Sequence, residues 1–320
     1  MTKPSTTDEE FIALWHKFGS PQLISNELGV SVRNICDRRK RLAAKLGIEL
    51  PTHNDQRFTA SPTIRHSYDK VRSIADITGT VFVFSDAHFQ PNESTTAFYA
   101  LLKLIKRLKP ALIVANGDIL DGALISRYGA EDWTEKPTLQ QEVEAVQVHM
   151  DAIRKACKGL GTILHRTIGN HDIRFDKRLA NAAPEFKGIK GTTLSDHIPE
   201  WSVSWSVMVN TNTMIKHRMQ HGGIHSGYNN TLKSGVNSVT GHTHLLEVKP
   251  WGDYTGRRYG VSTGMLACPD SNAFSYMEDN PRPWCSGFAV LTFTDEGMLL
   301  PPELCEVIDN NAYFRGAVVS

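Results

Sequence analysis

Hydrophobic and polar positions alternate in two different ways along this chain. Through residues 7–47, apolar residues recur every three or four positions, which is typical of amphipathic helices. From Gly79 onward, short continuous apolar runs alternate with helical segments, which is typical of a layered domain built from sheets and helices. The intervening residues are polar and have little periodicity. The pattern predicts a small helical domain at 1–50, a linker at 51–77 and a larger domain at 78–320.

Three helices are predicted in the first domain from the signals at their ends. Thr7 and Glu10 form a capping box before the first helix. Gly29 ends the second helix, because glycine readily adopts the left-handed conformation found there. Ser31 then caps the third helix. The tight connection between the second and third helices predicts a helix-turn-helix.

The composition fits a globular protein without a disulfide framework. Of the 320 residues, 40% are hydrophobic, which is enough for a sizeable core. The five cysteines are scattered and include no C-x-x-C pair, which argues against a disulfide scaffold and a zinc ribbon. The polar N-terminus does not resemble a secretory signal, and no apolar run reaches the roughly 18 residues that a membrane span needs. These features predict a protein of a reducing cytoplasm with no membrane partner.

One segment carries most of the positive charge. The net charge is only +1, but residues 31–46 contain six basic residues and one acidic residue. The start of a recognition helix contacts base edges, and basic residues further along it can contact phosphates. DNA is therefore the predicted partner, and a solvated surface or a protein-interaction module is the alternative. Because one three-helix domain binds weakly, a homo-oligomer or a second contact would be needed. The residues assigned to DNA are Arg33, Asn34, Arg38, Arg39 and Arg41.

Five apolar runs in the larger domain each lead to side chains of the types that bind metal ions. Sites in such sheets form beyond the carboxyl ends of the strands, so groups distant in sequence are expected to meet there. Imidazole and carboxylate donors favour Mn, Fe, Zn or Ni over an all-oxygen site for Mg or Ca. In chain order the motifs are Asp86-Ala87-His88, Gly117-Asp118-Ile119-Leu120-Asp121, Gly169-Asn170-His171-Asp172, His221-Gly222 and Gly241-His242-Thr243-His244.

This series of motifs resembles that of the calcineurin-like metallophosphoesterases, over about residues 80–295. The resemblance implies a four-layer α-β-β-α sandwich, so the expected fold class is α+β with a small all-α domain attached. It also implies two divalent metal ions, with Mn²⁺ expected first and Fe, Zn, Ni or Mg as alternatives. By resemblance, the first ion is held by Asp86, His88 and His244, the second by Asn170, His221 and His242, and Asp118 bridges them. His171 would be the catalytic histidine, with Asp172 orienting its ring.

The histidine of the fourth motif has two competitors nearby. His217 and His225 lie within four residues of His221, and either could be the ligand instead. His221 is preferred because it follows the apolar run directly and precedes a glycine. His225 would then face the substrate.

The implied activity is the metal-dependent hydrolysis of phosphoric esters. Two cations would lower the pKa of water from 15.7 towards roughly 7 and neutralise charge on the phosphoryl oxygens. Gly122 and Asp172 stand where protein Ser/Thr phosphatases have arginine and glutamate, so the resemblance is closer to nucleases and general phosphodiesterases, in the style of phage-encoded members. The predicted function is a phosphodiesterase, and specifically a nuclease acting on DNA. The alternatives are a phosphomonoesterase or nucleotide phosphatase, and a DNA-binding or assembly protein with an inactive metal domain.

Overall fold

The computed structural model describes residues 6–51, 68–127, 133 and 135–319. The chain divides into two compact units, Met1–His66 and Ser67–Ser320. Most of the predicted linker, at 52–67, lies outside the described residues. Its C-terminal end is not a linker, because strand β1 (Arg72–Ile74) pairs in parallel with β6 (Val207–Val209). A strand of three residues is too short to produce a periodic signal, so the sequence did not reveal it.

The smaller unit contains three helices in its described part. They are α1 (Asp8–Phe18), α2 (Pro21–Leu28) and α3 (Val32–Leu46). The capping box of Thr7 and Glu10 is confirmed, and each helix ends at a glycine in the left-handed conformation. The apolar faces pack into a core of their own, formed by Phe11, Trp15, Ile24, Ile35, Leu42 and Leu50. The helix order fits the predicted helix-turn-helix, which stays a prediction.

The larger unit contains two β-sheets and several helices. Its strands are β1 (Arg72–Ile74), β2 (Gly79–Phe84), β3 (Leu112–Asn116), β4 (Ile163–Thr167), β5 (Ser202–Ser204), β6 (Val207–Val209), β7 (Thr213–Lys216), β8 (Asn237–Thr240), β9 (Leu246–Asp253), β10 (Gly256–Thr263), β11 (Gly287–Phe293), β12 (Glu303–Ile308), β13 (Asn311–Phe314) and β14 (Ala317–Val318). Its α-helices are α4 (Thr96–Leu108), α5 (Leu139–Ala156), α6 (Asp172–Ala182), α7 (Leu194–His197) and α8 (Ser226–Ser234).

The two sheets place the strands of the motifs side by side. One sheet has the order β14-β13-β12-β11-β2-β3-β4-β5, and the other has the order β1-β6-β7-β8-β10-β9. Strands β2, β3 and β4 are parallel neighbours, with Val83 opposite Val114 and Val114 opposite His165. Strands β7 and β8 are also parallel neighbours. The carboxyl ends of neighbouring parallel strands lie at one edge of each sheet.

Strand β2 shows why the apolar runs are continuous. Its alternate residues Val81 and Val83 lie in the core between the two sheets, whereas Phe82 and Phe84 pack in the core under α4 and α5. Both faces of the strand are therefore buried, and neither needs polar residues. Helix α8 covers the second sheet so closely that a Cβ on Gly260 would lie 2.0 Å from the Gly227 carbonyl oxygen. The layers follow the order α-β-β-α, which confirms the expected α+β fold class.

Within the described ranges, no helix is both long enough and apolar enough to cross a membrane.

Candidate metal centre

Polar side chains gather where five strands end. Asp86 and His88 follow β2, Asp118 and Asp121 follow β3, Asn170 and His171 follow β4, His217 follows β7, and His242 and His244 follow β8. The backbone at Asp86, His88, Asp118, His242 and His244 is left-handed, with φ between 39° and 70°. Such angles are uncommon for residues other than glycine, and they concentrate at functional sites. Strands β2, β3 and β8 are thus each followed by a sharp turn that fixes where the donor side chains point.

The first group of donors consists of Asp86, His88 and His244. One atom from each lies within 4.8 Å of the others, and all three residues are buried. Asp86 Oδ1 lies 3.2 Å from His244 Nε2, and His88 Nε2 has no hydrogen-bond partner among the described residues. Burial alone would raise the pKa of Asp86, but the charges of His217 and His244 outweigh burial and lower it to about 2. Asp86 is therefore an ionised carboxylate beside two imidazoles.

The second group consists of Asp118, His217 and His242, again with one atom each within 4.8 Å of the others. His217 Nδ1 lies 2.8 Å from the Asn116 carbonyl oxygen. Because a carbonyl only accepts, Nδ1 carries a proton, and Nε2 faces Asp118 Oδ2 at 3.0 Å and Asn170 Oδ1 at 3.3 Å. Burial would lower the pKa of His217, yet the Asp118 and Asp86 carboxylates raise it to about 10. This field of negative charge and oxygen lone pairs attracts a cation.

His217, and not the expected His221, belongs to the second group. Strand β7 ends at Lys216, so the first residue beyond the strand is His217. The apolar run had predicted a strand that continued to Gln220, and this placed the end four residues too late. His221 donates its backbone N–H to Asn230 Oδ1 at 3.0 Å, and its ring Nε2, although buried without a partner among the described residues, belongs to neither donor group. The other candidate, His225, is exposed at the start of α8.

His171 lies where the two groups meet. One of its ring nitrogens is within 4.8 Å of donor atoms from His88 and Asp118. Its Nδ1 lies 2.9 Å from Asp121 Oδ1 and 3.0 Å from the Asp121 carbonyl oxygen, so Nδ1 carries a proton. Its Nε2 lies 3.1 Å from Arg174 Nη2. Burial would lower the pKa of His171, but the hydrogen bond to Asp121 and the charges of Asp118 and Asp121 together raise it.

The sequence suggested that Asp172 orients the ring of His171, but the structure gives Asp172 a different role. Its carboxylate accepts hydrogen bonds from the backbone N–H groups of Asp118, Ile119, Leu120 and Gly169, at 2.9 to 3.2 Å. These bonds join the turn after β3 to the turn after β4. Asp121 is the carboxylate that contacts the His171 ring. The signal for Asp121 was present in the sequence, since it is the second aspartate of the G-D-x-x-D motif.

Two glycines allow the turns to approach one another. A Cβ on Gly169 would lie 2.0 Å from Asp118 Oδ1 and 2.3 Å from the Asp118 backbone nitrogen. A Cβ on Gly117 would lie 2.6 Å from the ring of His217, and φ at Gly117 is +80°. Gly222 differs, because a Cβ there would meet nothing within 4 Å. The glycines of the second and third motifs are thus required by close contact with donor residues.

The residues present fit two divalent metal ions. Each donor group combines carboxylate and imidazole, which suits transition ions. His88 Nδ1 lies 3.3 Å from Asp121 Oδ1, which leaves His88 Nε2 buried without a partner, in the arrangement of a metal-binding histidine held by an outer carboxylate. An unpaired buried polar atom costs about 1–3 kcal/mol, and a bound cation would remove this cost.

The sequence matches the family model for calcineurin-like phosphoesterases over residues 79–259. This span is more than half of the 320 residues and contains the strand ends described above. The chain belongs to the calcineurin-like phosphoesterases. The donor cluster of this phosphoesterase is accordingly the metal centre of a metal-dependent phosphoester hydrolase. No curated protein matches the chain.

Several solved structures are similar to this phosphoesterase. The phosphoesterase Yfce from E. coli has 14% identity and a TM-score of 0.34, and the match covers 70% of this chain and 97% of that chain. A dimetal phosphatase from Danio rerio has 10% identity and a TM-score of 0.35, covering 72% and 96% of the two chains. A protein serine/threonine phosphatase from Saccharomyces cerevisiae has 10% identity and a TM-score of 0.37, covering 76% and 85%. These values are too low to assign a substrate.

The basic helix of the phosphoesterase divides into two sets of residues. Arg38 donates to the Thr6 carbonyl oxygen at 2.6 Å and to Asp8 at 3.0 Å, so its guanidinium lies within the fold of the unit. Arg39 donates to the Leu50 carbonyl oxygen at 3.1 Å. The other assigned residues, Arg33, Asn34 and Arg41, are exposed. Arg33, Asn34 and Arg41 are thus more accessible to phosphates or bases than Arg38 and Arg39 are.

Proposed function

We propose that this phosphoesterase is a two-metal phosphodiesterase that cleaves nucleic acid. The observation that carries the proposal is the position of Asp118, whose carboxylate lies within reach of both donor groups. Two cations sharing one carboxylate would lie close enough to act on a single phosphate. When bound, such cations supply the Lewis acidity that neutralises phosphoryl oxygens and lowers the pKa of water.

The geometry supports a specific set of ligands. Asp86, His88 and His244 would hold the first ion, and Asn170, His217 and His242 would hold the second. Asp118 would bridge the two ions. Its Oδ1 accepts the backbone N–H of His171 at 2.7 Å, which holds the carboxylate in this orientation. This set differs from the expectation from sequence only in the exchange of His221 for His217.

His171 is the proposed acid for the leaving oxygen. Its Nδ1 proton is held by Asp121, so the other nitrogen, Nε2, is the one that can transfer a proton to a substrate. The raised pKa of His171 favours the protonated ring before transfer. Arg174 Nη2 donates to Nε2 at 3.1 Å, so the guanidinium would turn from Nε2 to the leaving oxygen, and stabilise negative charge developing there, when Nε2 carries the proton. General acid catalysis of this kind typically contributes about 10²–10⁴ in rate.

The preference for nucleic acid is supported by the exposed part of α3. Arg33 and Arg41 are accessible cations on the predicted recognition helix, and Asn34 lies in its first turn. Basic side chains in these positions can contact phosphates and base edges. A phosphodiesterase attached to such a helix would act on the polymer that the helix binds.

Hydrolysis assays test the proposal directly. The protein, supplied with Mn²⁺ and in parallel with Fe, Zn, Ni or Mg, is expected to hydrolyse bis-p-nitrophenyl phosphate and single- or double-stranded DNA. Asp118→Asn and His171→Ala should each lower turnover, the latter by about 10²–10⁴. No turnover by the wild type with any metal would contradict the proposal. A strong preference for p-nitrophenyl phosphate over the diester would instead identify a phosphomonoesterase.

A further inference from the structure

The segment between β10 and β11 brings aromatic rings to the metal centre. The ring of Phe274 lies 5.2 Å from the ring of His88 and 5.7 Å from that of His244, measured between centroids. The ring of Trp284 lies 4.3 Å from that of His244. Phe274 and Trp284 also contact each other, at 5.5 Å. Together they form an aromatic wall on the side of the first donor group.

Both rings of this wall have a packing role. Phe274 is only 3% exposed, and Trp284 is half-buried. Edge-to-face contacts of this kind hold imidazole rings in one orientation. Phe274 and Trp284 are therefore positioning residues for His88 and His244. Phe274 leaves almost no ring surface free for a ligand.

Tyr276 has no comparable packing role. Its side chain is 47% exposed, and its ring contacts Phe274 at 6.4 Å between centroids. Burial and then the charge of Asp121 raise the pKa of its hydroxyl, so the ring lies within the field of the metal centre. A large ring that lies near a catalytic centre and is about half exposed is available for stacking.

A fixed cation lies beside the same wall. The guanidinium carbon of Arg282 is 5.3 Å from the Trp284 ring, and Nη1 donates to the Pro269 carbonyl oxygen at 2.8 Å. Its side chain is 19% exposed, and Nη2 lies 3.8 Å from Asp270 Oδ1, so the group is held in place and keeps some exposed surface. The charge of Arg282 also acts on the Tyr276 hydroxyl. An aromatic face next to positive charge is the combination that sequence-tolerant nucleic-acid sites use.

We propose, on the basis of the phosphodiesterase function, that the ring of Tyr276 stacks on a nucleobase of the substrate. The enzyme then prefers nucleoside phosphodiesters to diesters that carry small aliphatic groups. The spacing of the site resembles that of a nucleotide. One pentose separates the base from the phosphate, and one ring, that of Phe274, separates Tyr276 from the histidine donors. Stacking tolerates every base, since each has a π-face, so the preference is for nucleosides in general.

Two substrates with the same leaving group test the inference. Thymidine 5′-(p-nitrophenyl phosphate) and methyl p-nitrophenyl phosphate both release p-nitrophenol, and they differ only in nucleoside against methyl. For the full-length wild type we expect kcat/KM to be about tenfold higher for the nucleoside ester, the scale of one stacked base. Tyr276→Ala should reduce this ratio to near one, and Tyr276→Phe should keep it.

Controls separate failure of the inference from failure of the proposed function. Tyr254 is fully exposed in the turn between β9 and β10, and Tyr254→Ala should leave the ratio as in the wild type. Equal rates for the two esters in the wild type, or an unchanged ratio in Tyr276→Ala, would overturn the stacking role and leave the diesterase function standing. A ratio lost in Tyr276→Phe would also overturn it, because the ring remains. Hydrolysis of neither ester would overturn both proposals.

Discussion

His217 and His221 are four residues apart, yet only His217 has a ring nitrogen in the second donor group. The substitution His217→Ala removes a donor that faces Asp118 and Asn170, so we expect the purified protein to hold about one ion fewer than the wild type. Loss of an outer partner of a metal ligand typically costs about 10–100-fold in affinity or activity, and loss of a ligand itself should cost more. Elemental analysis of the metal content and kcat/KM for bis-p-nitrophenyl phosphate provide the two readouts.

His221→Ala is the matched control for this prediction. The backbone N–H of His221 bonds to Asn230, and the backbone is unchanged by the substitution. Metal content should therefore stay as in the wild type. A protein that loses an ion on His221→Ala but keeps it on His217→Ala would restore the ligand set expected from the sequence and refute the one proposed here.

At the scale of elements, the sequence was informative where burial imposes a pattern. Strand β2 is apolar on both faces because it separates two cores, and this produces a continuous run that predicts both the strand and the donor turn after it. The end of β7 was missed because the apolar run continues beyond Lys216, and strand ends depend on pairing with neighbours that are distant in sequence. The contacts of Phe274 with His88 were invisible for the same reason.

Strand β4 contains a buried histidine outside the donor groups. His165 Nδ1 lies 2.7 Å from Ser202 Oγ, and Nε2 lies 2.8 Å from Ser204 Oγ. Burial, followed by the charges of Arg72 and Arg166, lowers the pKa of His165 from 6.5 to about 4. Because the folded pKa is depressed, the stability associated with the neutral ring is present above pH 6.5. It is lost as the pH falls from 6.5 towards 4.

The resulting prediction concerns the free energy of unfolding. A group whose pKa is 6.5 in the unfolded chain and about 4 in the fold should reduce the free energy of unfolding by about 2 kcal/mol between pH 7 and pH 5. His165→Gln removes the titration, so the wild type should lose about 2 kcal/mol more than the variant over this range. Urea unfolding at both pH values measures the difference, and other titrating groups cancel because they are common to both proteins. Equal losses would show that His165 keeps an ordinary pKa in the fold.

At the scale of the whole molecule, two units with separate cores carry different chemistry. The donor groups lie in the larger unit, and the exposed basic residues of α3 lie in the smaller one. Motif order and spacing predicted that donor groups gather at strand ends, with His221 named where the structure has His217, because a metal centre needs fixed residue types there. The sequence did not predict which basic residues of α3 are exposed. Charge alone does not distinguish a cation used within the fold, such as Arg38, from one available to a ligand.

Salt dependence of DNA binding separates these two kinds of arginine. Each phosphate contact contributes about 0.9 to the slope of log K against log salt concentration. The double variant Arg33→Ala with Arg41→Ala should therefore bind duplex DNA more weakly and with a slope reduced by up to about 2. The charge-matched double variant Lys187→Ala with Lys190→Ala removes two exposed cations from the other unit, so its slope should equal that of the wild type.

Arg38→Ala tests an arginine that is used within the fold. Its guanidinium bonds to Asp8 and lies 4.7 Å from the Phe11 ring, so its loss should lower the melting temperature of the smaller unit. An unchanged slope in Arg33→Ala with Arg41→Ala, measured for a protein that still binds DNA, would mean that DNA is held elsewhere. That result would favour the alternative role of the three-helix unit as a protein-interaction module. Because both arginines are exposed, loss of folding cannot imitate this outcome.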